Sequence, residues 1–455
     1  MFGRDKQAAG DNTPPNEIGP EVDFKAKGGA NKQENEANAI QARQSPGIIP
    51  TKMLIAQAVQ RGASRILLDY TAQGVTVKLD VDGFWHDLPQ MDRATGDVML
   101  AVMKKMANLD PAERRERQVG DFSAVYRQKA RNCHITSQGV PTGERAMLRV
   151  VDPKEEQLSL EEMGMRENIA GDFKHRVGRA MGEVVPPPPL GLYVFSAPAN
   201  GGGLSSLWVA GLSATDRYMR DFIGLEEVTR REPEVENIEV VEYEESAGES
   251  ANDLIPQQLR RQPDVFTVPL VADKQTLDTL CEMIESESMA IFTSVRAKSA
   301  AEALCKLHAA AGSKSMFLQS INLVINMRLV RKLCENCKVP FQPHPQVVQR
   351  LGLPPERVDV LYQEWQPPPP DPDAKNQEPP PICPECGGIG YRGRTGMFEV
   401  LIVDDNIRMA MAANPDAATI QQLAQNAGMK LIRDEGVLLL AQGITSIPEL
   451  QRALQ

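Results

Sequence analysis

The hydrophobic pattern changes along the chain and divides it into regions. Residues 1–47 contain few apolar residues and many Gly, Asn, Gln, Glu and Lys residues, which predicts a disordered tail. From Ile48 to residue 165, short apolar runs alternate with polar positions, as in Val75–Val81, and this predicts half-buried strands beside helices. A small α+β domain is therefore expected over 48–165.

Buried strands and helical patterns alternate in the next region, 166–333. Leu192–Phe195 and Ala290–Val295 are uninterrupted apolar runs of the kind that parallel sheets bury on both faces. Helical patterns lie between such runs, and a longer helix is predicted over Met316–Leu333. The alternation predicts an α/β sheet. Residues 399–455 carry helical patterns throughout, so a helical C-terminal domain is expected there.

A glycine-rich turn follows the strand at Leu192–Phe195, and a helical pattern begins just after it. Strand, glycine turn and helix form the layout of a phosphate-binding loop, in which backbone N–H groups and the helix N-terminus bind an anion. The motif G-x-x-x-x-G-K-[ST] is incomplete, because Gly203 stands where Lys is required and Leu204 where the Mg²⁺-binding Ser or Thr is required. A plain glycine turn and a nucleotide site both remain open. The candidate phosphate ligands are Asn200, Gly201, Gly202, Gly203 and Ser205.

Composition limits the classes of function. The 455 residues carry a net charge of −11, which gives no general case for nucleic-acid binding. No apolar run approaches the roughly 18 residues of a membrane span. The N-terminal residues lack the apolar core of a signal peptide. A cytoplasmic protein is therefore expected.

The chain has seven cysteines, and four of them form two C-x-x-C pairs. The pairs are Cys334 with Cys337, and Cys383 with Cys386. A two-residue gap lets both thiolates of a pair face one ion, and two pairs complete a tetrahedral zinc shell. With four protein ligands, the zinc would be structural rather than catalytic. A zinc module is therefore predicted over 334–398, whereas a redox pair does not explain two such motifs.

Several segments resemble one family. Gly390–Leu401 reads GYRGRTGMFEVL, Arg328–Lys338 reads RLVRKLCENCK, and Gln258–Asp264 reads QLRRQPD. These segments are similar to the secretion ATPases, the hexameric motors of type II secretion and type IV pilus assembly. The resemblance covers roughly residues 50–455 and does not include the family's extra, more N-terminal docking domain.

The resemblance implies a fold and partners. The expected fold is α/β, with a RecA-like P-loop domain over 166–333 preceded by a small α+β domain, and with the Cys₄ module and helical region after it. The family implies a ring oligomer that works with other subunits of a secretion or pilus machine. Such partners include an active paralogous ATPase and an inner-membrane platform protein. The expected location is the cytoplasm, at the periphery of the inner membrane.

The family's catalytic residues do not carry over to the matching positions. Gly203 and Leu204 replace Lys and Thr of the phosphate loop. The acidic Glu-Asp-Pro box resembles Arg231-Glu232-Pro233, which keeps one carboxylate at Glu232. Leu270 replaces the Walker B Glu, and Arg296 replaces the His of the histidine box. No catalytic residue is intact at these positions, so the binding of ATP and Mg²⁺ is in doubt.

The α+β domain departs from the family in the same way. The Asp and His of the Ser-Asp-Ile-His motif are replaced by Arg65 and Leu67. The paired arginines that reach a neighbour's nucleotide are replaced by Lys78 and Asp80. Phosphoryl transfer depends on positioned charges, and nearly all of them are lost, whereas the glycines and cysteines that hold the fold are kept.

Three functional hypotheses follow. The first is a non-hydrolysing relative that serves as a structural or regulatory subunit of a secretion or pilus machine. The second is a motor that still binds and hydrolyses ATP through an unusual loop, with Arg296 or Lys298 reaching a phosphate. The third is an adaptor unrelated to secretion that binds proteins through its zinc module and acidic surface.

Overall fold

The computed structural model describes residues 19–154, 157–179, 189–199, 202–271, 273–354, 359–366 and 382–455. The chain forms two compact units, Met1–Pro153 and Lys154–Gln455. The division lies about a dozen residues before the predicted boundary at 165. Within the described residues, no helix combines the length and apolar character needed to span a bilayer.

The first unit consists of one seven-stranded sheet and three helices. Its seven strands have the spatial order β1-β5-β6-β7-β2-β3-β4, and every pairing is antiparallel. The strands are β1 (Val22–Ala26), β2 (Ala63–Tyr70), β3 (Val75–Val81), β4 (Phe84–Asp87), β5 (Gln118–Tyr126), β6 (Lys129–Val140) and β7 (Gly143–Val151). The helices are α1 (Lys32–Gln44), α2 (Ile48–Arg61) and α3 (Arg93–Met106).

One face of this sheet forms the core of the first unit. Along β2, buried Ile66, Leu68 and Tyr70 alternate with more exposed residues, as period-two patterning requires. The Tyr70 hydroxyl donates to the carbonyl of Gly96 in α3 at 2.6 Å, which ties the helix to this face of the sheet. The predicted α+β architecture is confirmed for this unit.

The prediction of a disordered tail over 1–47 is wrong for the part that the structure describes. Phe24 of β1 is buried and packs edge-on against Phe122, with ring centroids 6.1 Å apart. Asn31 caps α1 by accepting from the N–H of Glu34. The helix buries only Asn38 and Ala42, so its exposed surface explains the polar composition. Residues 1–18 lie outside the described residues.

The second unit contains the larger sheet, with strand order β10-β9-β11-β12-β8-β13-β16. The strands are β8 (Gly191–Ala197), β9 (Phe222–Glu227), β10 (Glu239–Tyr243), β11 (Val265–Val268), β12 (Ala290–Arg296), β13 (Ile321–Leu333) and β16 (Tyr391–Ile402). A separate two-stranded sheet pairs β14 (Val339–Phe341) with β15 (Leu361–Gln363). The helices are α4 (Glu167–Arg176), α5 (Leu204–Ser213), α6 (Ala251–Leu259), α7 (Lys274–Glu287), α8 (Ala300–Ala310), α9 (Lys314–Ser320), α10 (Pro345–Leu351), α11 (Asp405–Ala412), α12 (Ala417–Asn426), α13 (Ile432–Ala441) and α14 (Ile447–Leu454).

The larger sheet is mixed. Strands β8 to β13 of this sheet run parallel, and β16 pairs antiparallel with β13. Its interior strand β8, between β12 and β13, is buried along its whole length. Together with the C-terminal helices, this sheet confirms the predicted α/β fold of the second unit.

The helix predicted over Met316–Leu333 is wrong after Ser320. The chain forms the short helix α9 and then the long strand β13, which lies between β8 and β16. A strand whose two faces are both covered need not alternate polar and apolar residues, and periodicity alone cannot distinguish it from a buried helix. The segment Tyr391–Ile402 also belongs to the larger sheet, so strand β16 crosses the boundary predicted at 398.

Candidate functional site

The glycine turn joins β8 to α5. Strand β8 ends at Ala197, and α5 begins at Leu204 with Gly203 as its N-cap residue. Gly203 has φ +80°, a left-handed conformation that favours glycine. Ser205 is half-buried in the first turn of α5. Asn200 and Gly201, two of the candidate phosphate ligands, lie outside the described residues.

The two positions that should carry Lys and Thr are enclosed by apolar side chains. A Cβ atom added at Gly203 would lie 2.6 Å from Cε of Met327 and 2.9 Å from Cδ1 of Leu329, both on β13. Leu204 is 1% exposed and belongs to the hydrophobic core that includes Leu207 and Met327. Neither position presents a cation or a hydroxyl to the turn.

The parallel strands β8, β9, β11 and β12 end at the same edge of the sheet, where ligands of α/β proteins bind. Leu270 follows β11 and has φ +55°, and its N–H donates to Oγ of Ser294 at 3.0 Å. This is the position of the expected Walker B carboxylate. An aliphatic side chain there supplies no ligand for Mg²⁺ or water.

The sequence analysis named Arg296 and Lys298 as cations that could reach a phosphate, and Arg296 lies at the glycine turn. It is the last residue of β12, in register with Ala197, and its Nη1 donates to the carbonyl oxygen of Pro198 at 3.4 Å. Lys298 is directed elsewhere, because its Nζ donates to the carbonyl oxygen of Gln455 at 3.4 Å. Of the two candidate replacement cations, Arg296 is the one that contacts the described part of the glycine turn.

Two carboxylates lie together at the same edge. Glu226 follows the apolar residues of β9 and is buried. Its Oε2 accepts from the backbone N–H of Glu232 at 2.9 Å. Glu232 is also buried. The pKa of Glu226 is raised to about 7, mainly by burial and also by the neighbouring charges of Glu232 and Glu242, although the Glu232 N–H and Arg231 lower it.

The sequence analysis selected Glu232 and missed Glu226. The available signal was the pair Glu226-Glu227 directly after the apolar run Phe222–Leu225, since polar residues that follow a buried strand lie at the ligand-binding edge. Glu227 is buried as well, and its Oε2 accepts from the N–H of Thr229 at 2.9 Å. Both carboxylates that follow the apolar run of β9 are therefore buried.

In the first unit, three of the four residues expected to replace family residues form ion pairs, namely Arg65, Lys78 and Asp80. Arg65 Nε donates to Oδ2 of Asp80 at 2.6 Å across β2 and β3. Lys78 Nζ lies 3.1 Å from Oδ1 of Asp87 on β4. Asp80 is almost fully buried, so this pair is part of the sheet structure rather than an accessible ligand.

The four cysteines of the two C-x-x-C pairs come together. Their Sγ atoms all lie within 4.8 Å of one another, with 3.9 Å between Cys334 and Cys383 and 3.6 Å between Cys337 and Cys386. Cys334 follows β13, and the second pair precedes β16, so the antiparallel pairing of these strands aligns the two motifs. Four clustered thiols fit a structural zinc site.

Polar groups donate hydrogen bonds to two of the four cysteine sulfurs. Asn336 Nδ2 donates to Sγ of Cys383 at 3.2 Å, and this hydrogen bond lowers the pKa of that thiol. The N–H of Gly390 donates to Sγ of Cys386 at 3.3 Å. Arg392 donates to the backbone and the carboxylate of Glu385, so this arginine holds the second C-x-x-C turn.

Comparisons with known proteins agree with this architecture. A family model described as type II/IV secretion system protein matches residues 41–452. The type IV pilus assembly ATPase PilB of Thermus thermophilus is 27% identical over 402 residues, which cover 88% of this chain and 42% of PilB. The protein transport protein HofB homolog of Escherichia coli is 26% identical over 416 residues, covering 91% of this chain and 83% of that protein. The chain thus spans less than half the length of the Thermus protein.

The fold also resembles a solved structure. The X-ray structure of the ATPase DotB from Legionella pneumophila superposes with a TM-score of 0.56, at 14% identity, over 88% of this chain and 94% of DotB. At this identity the likeness concerns the fold. The family model covers most of the chain, and the fold, the paired cysteine motifs and the sequence relatives all agree with it. The chain therefore belongs to the type II/IV secretion system protein family.

Proposed function

We propose that this protein is a non-hydrolysing member of its family and serves as a structural or regulatory subunit of a secretion or pilus machine. The observation that carries the proposal is the burial of Leu204 in the hydrophobic core, where the family has its Mg²⁺-binding hydroxyl. An aliphatic side chain in that position cannot bind the metal, and its packing stabilises the domain instead.

The neighbouring positions support the same proposal. Phosphoryl transfer is catalysed by positioning and by neutralising charge on the phosphates. Gly203 supplies no cation, Leu270 supplies no carboxylate, and Asp80 replaces one of the arginines expected in the first unit. One missing group can be replaced by a neighbour, but the loss of several is better explained by loss of the reaction.

A second candidate function is an ATP-hydrolysing motor with an unusual phosphate loop. It is favoured by the contact of Arg296 Nη1 with the carbonyl of Pro198, which places a guanidinium beside the turn. In this alternative Arg296 would bind the phosphates in place of the family's Lys, and the buried pair Glu226 and Glu232 would supply carboxylates at the same edge.

The two candidates are separated by titrating zinc-loaded full-length protein with ATP/Mg²⁺ and with ADP in a calorimeter, and by measuring phosphate release from the same sample. The structural-subunit proposal predicts no binding at millimolar nucleotide and no turnover. Tight binding with turnover that is lost in Arg296→Ala would overturn it and support the motor.

We further propose that Cys334, Cys337, Cys383 and Cys386 bind a structural zinc ion. The protein is proposed to act in the cytoplasm, at the periphery of the inner membrane, within a ring oligomer. Its proposed partners are other subunits of the machine, including an active paralogous ATPase and an inner-membrane platform protein. The family match weighs against an adaptor unrelated to secretion.

A further inference from the structure

A metal ion bound by the four clustered cysteines would leave negative charge on their sulfur atoms, because four thiolates outweigh one divalent ion. Three of the four residues are buried, namely Cys334, Cys383 and Cys386. Charge in such surroundings is stabilised by nearby cations or by hydrogen-bond donors. The groups that contact the sulfurs therefore influence how tightly the cluster holds a metal. We call Cys334–Cys337 the first motif and Cys383–Cys386 the second motif.

The cations next to the two motifs do not donate to the sulfurs. Arg392 donates to the carboxylate of Glu385, and Lys338 Nζ lies 2.7 Å from Oε2 of Glu335. Among the described residues, no lysine or arginine donates a hydrogen bond to a sulfur of the cluster. The side-chain and backbone donors that do reach the sulfurs are neutral groups.

One of these neutral donors is a side chain. Gly390 contributes a backbone N–H, which lies 3.3 Å from Sγ of Cys386 in the same turn. Asn336 is the one side chain in the described part of the protein that donates to the cluster, with Nδ2 3.2 Å from Sγ of Cys383. A metal-bound thiolate only accepts hydrogen bonds, so the nitrogen of the amide, rather than its oxygen, has to face the sulfur.

The contact of Asn336 crosses from the first motif to the second. Asn336 lies inside the first motif, whereas its acceptor Cys383 opens the second motif, 47 positions away in the sequence. A backbone hydrogen bond from the N–H of Cys334 to the carbonyl oxygen of Gly390, at 2.9 Å, also joins the motifs, close to the ends of β13 and β16. Asn336 adds a second link, at the cysteine that lies farther from β16 along the chain. Neither link requires the metal.

The turn that carries Asn336 is closed by its own backbone. The N–H groups of Cys337 and Lys338 donate to the carbonyl oxygen of Cys334 at 3.1 and 2.9 Å. The Asn336 side chain takes no part in these bonds and is exposed, so it contributes little packing. Its contact with Cys383 is therefore not needed to form the turn.

We propose that Asn336 is a positioning residue of the zinc site: its amide holds Sγ of Cys383 where the metal binds and disperses negative charge from that sulfur in the metal-bound state. The proposal rests on zinc binding by the four cysteines and goes beyond it, because it assigns a function to a residue that is not a ligand. A ligand that is held in place beforehand loses less freedom on binding, and a hydrogen bond to an ionised sulfur is stronger than one to a neutral thiol.

The test compares zinc binding by full-length wild type and Asn336→Leu, which removes the donor at similar size. The zinc dissociation constant is measured by competition with a chromophoric chelator. It should rise about tenfold, at the low end of the range for groups that contact a metal ligand, because Asn336 is exposed. Asn336→Asp keeps the shape of the side chain and serves as a second variant. It should raise the constant further, since its carboxylate has no N–H and adds negative charge beside the thiolate.

A spectroscopic readout separates this role from a general loosening of the turn. Cobalt(II) can replace zinc in a tetrahedral thiolate site, where it gives sulfur-to-cobalt charge-transfer bands. A hydrogen bond lowers the energy of the sulfur lone pairs, so its loss in Asn336→Leu should move these bands to longer wavelength. A substitution that only loosened the turn would weaken cobalt binding without moving the bands at saturating cobalt.

Glu335→Leu is the matched control variant. Glu335 is the preceding residue of the same turn, its side chain is 77% exposed, and its carboxylate pairs with Lys338 rather than with a sulfur. The control should keep the zinc affinity and the cobalt bands of wild type. Wild-type affinity with unshifted bands in Asn336→Leu would overturn the proposal, as would an equal loss in the control.

Failure of zinc binding itself gives a different result. Wild-type protein that contains no zinc and takes up neither zinc nor cobalt would overturn both the zinc site and the role of Asn336. Wild type that binds zinc as tightly as Asn336→Leu and Asn336→Asp would overturn the role of Asn336 alone.

Discussion

Arg65 and Asp80 face each other in register on β2 and β3, and Arg65 Nε donates to Oδ2 of Asp80 at 2.6 Å. The family pattern has an acid at the first position and an arginine at the second. In this chain the charges at the two positions are opposite to that expected pattern, and they form a cross-strand ion pair.

The first prediction concerns this pair. Arg65→Ala should lower the free energy of unfolding by about 1–3 kcal/mol, because it leaves the buried carboxylate of Asp80 without its cation. The double exchange Arg65→Asp with Asp80→Arg should recover most of the loss. Urea unfolding of wild type, Arg65→Asp, Asp80→Arg and the double exchange measures the coupling free energy of the pair. Arg145→Ala breaks a more exposed pair with Asp69 and should cost less than about 1 kcal/mol; an equal loss in both variants would contradict the prediction.

The second prediction concerns the glycine turn. The double variant Gly203→Lys with Leu204→Thr restores the family's residues but should not restore ATP binding. Lysine would be strained at φ +80° and would displace the end of the Met327 side chain, and a threonine hydroxyl would be buried in an apolar core. Calorimetry and a melting curve check both points. Nucleotide binding by the double variant at an unchanged melting temperature would contradict the prediction. It would show that the turn still fits a nucleotide once the two side chains are restored.

The third prediction concerns pH. The folded protein holds the Glu226 proton up to a pKa of about 7, whereas the ordinary value is 4.5. Between these values the folded state binds more protons than the unfolded state, so its stability falls as pH rises. Glu226→Gln should remove this contribution, which is at most about 1.4 kcal/mol per pH unit.

The measurement for Glu226 is urea unfolding of wild type and Glu226→Gln at several values between pH 5 and pH 8. The difference between the two proteins isolates this carboxyl from others that titrate. It should change steadily between pH 5 and about pH 7 and then level off. A difference that is constant across the whole range would rule out a raised pKa.

The fourth prediction concerns zinc. Purified protein should contain about one zinc ion per chain by elemental analysis, as a Cys₄ site requires. Cys334→Ser should lose the metal and lower the melting temperature, since metal binding contributes to folding. Cys305→Ser is the control, because Cys305 lies outside the cluster and should keep the metal. Full zinc content in Cys334→Ser would exclude the proposed ligand set.

The fold was predictable from the sequence where a local pattern has one structural meaning. The alternation in Val75–Val81 gave β3, and the short apolar run Leu192–Phe195 gave the core of β8. Met316–Leu333 was misread because helix and buried strand share one pattern when both faces are covered. Helix α1 was missed because its packing depends on Asn38, which donates to Asn108 at 2.9 Å, a contact distant in sequence.

The candidate site followed the same rule. The cysteine motifs carry their spacing in the sequence, so the cluster was predicted in full. The burial of Glu226 and its contact with Glu232 depend on how the loop after β9 folds back, and no local pattern contains that information. The contact of Arg296 with Pro198 likewise requires the pairing of β12 with β8.

The cysteine cluster has one more consequence, for the chain between its two motifs. Strand β13 pairs with β8 on one side and with β16 on the other, and the cysteines join the ends of β13 and β16. With both ends fixed, extra residues in the intervening chain should have little influence on the sheet, because closure entropy changes slowly with loop length. A fluorescent or affinity tag inserted there, outside α10, β14 and β15, should therefore leave the pairing of β13 with β16 unchanged.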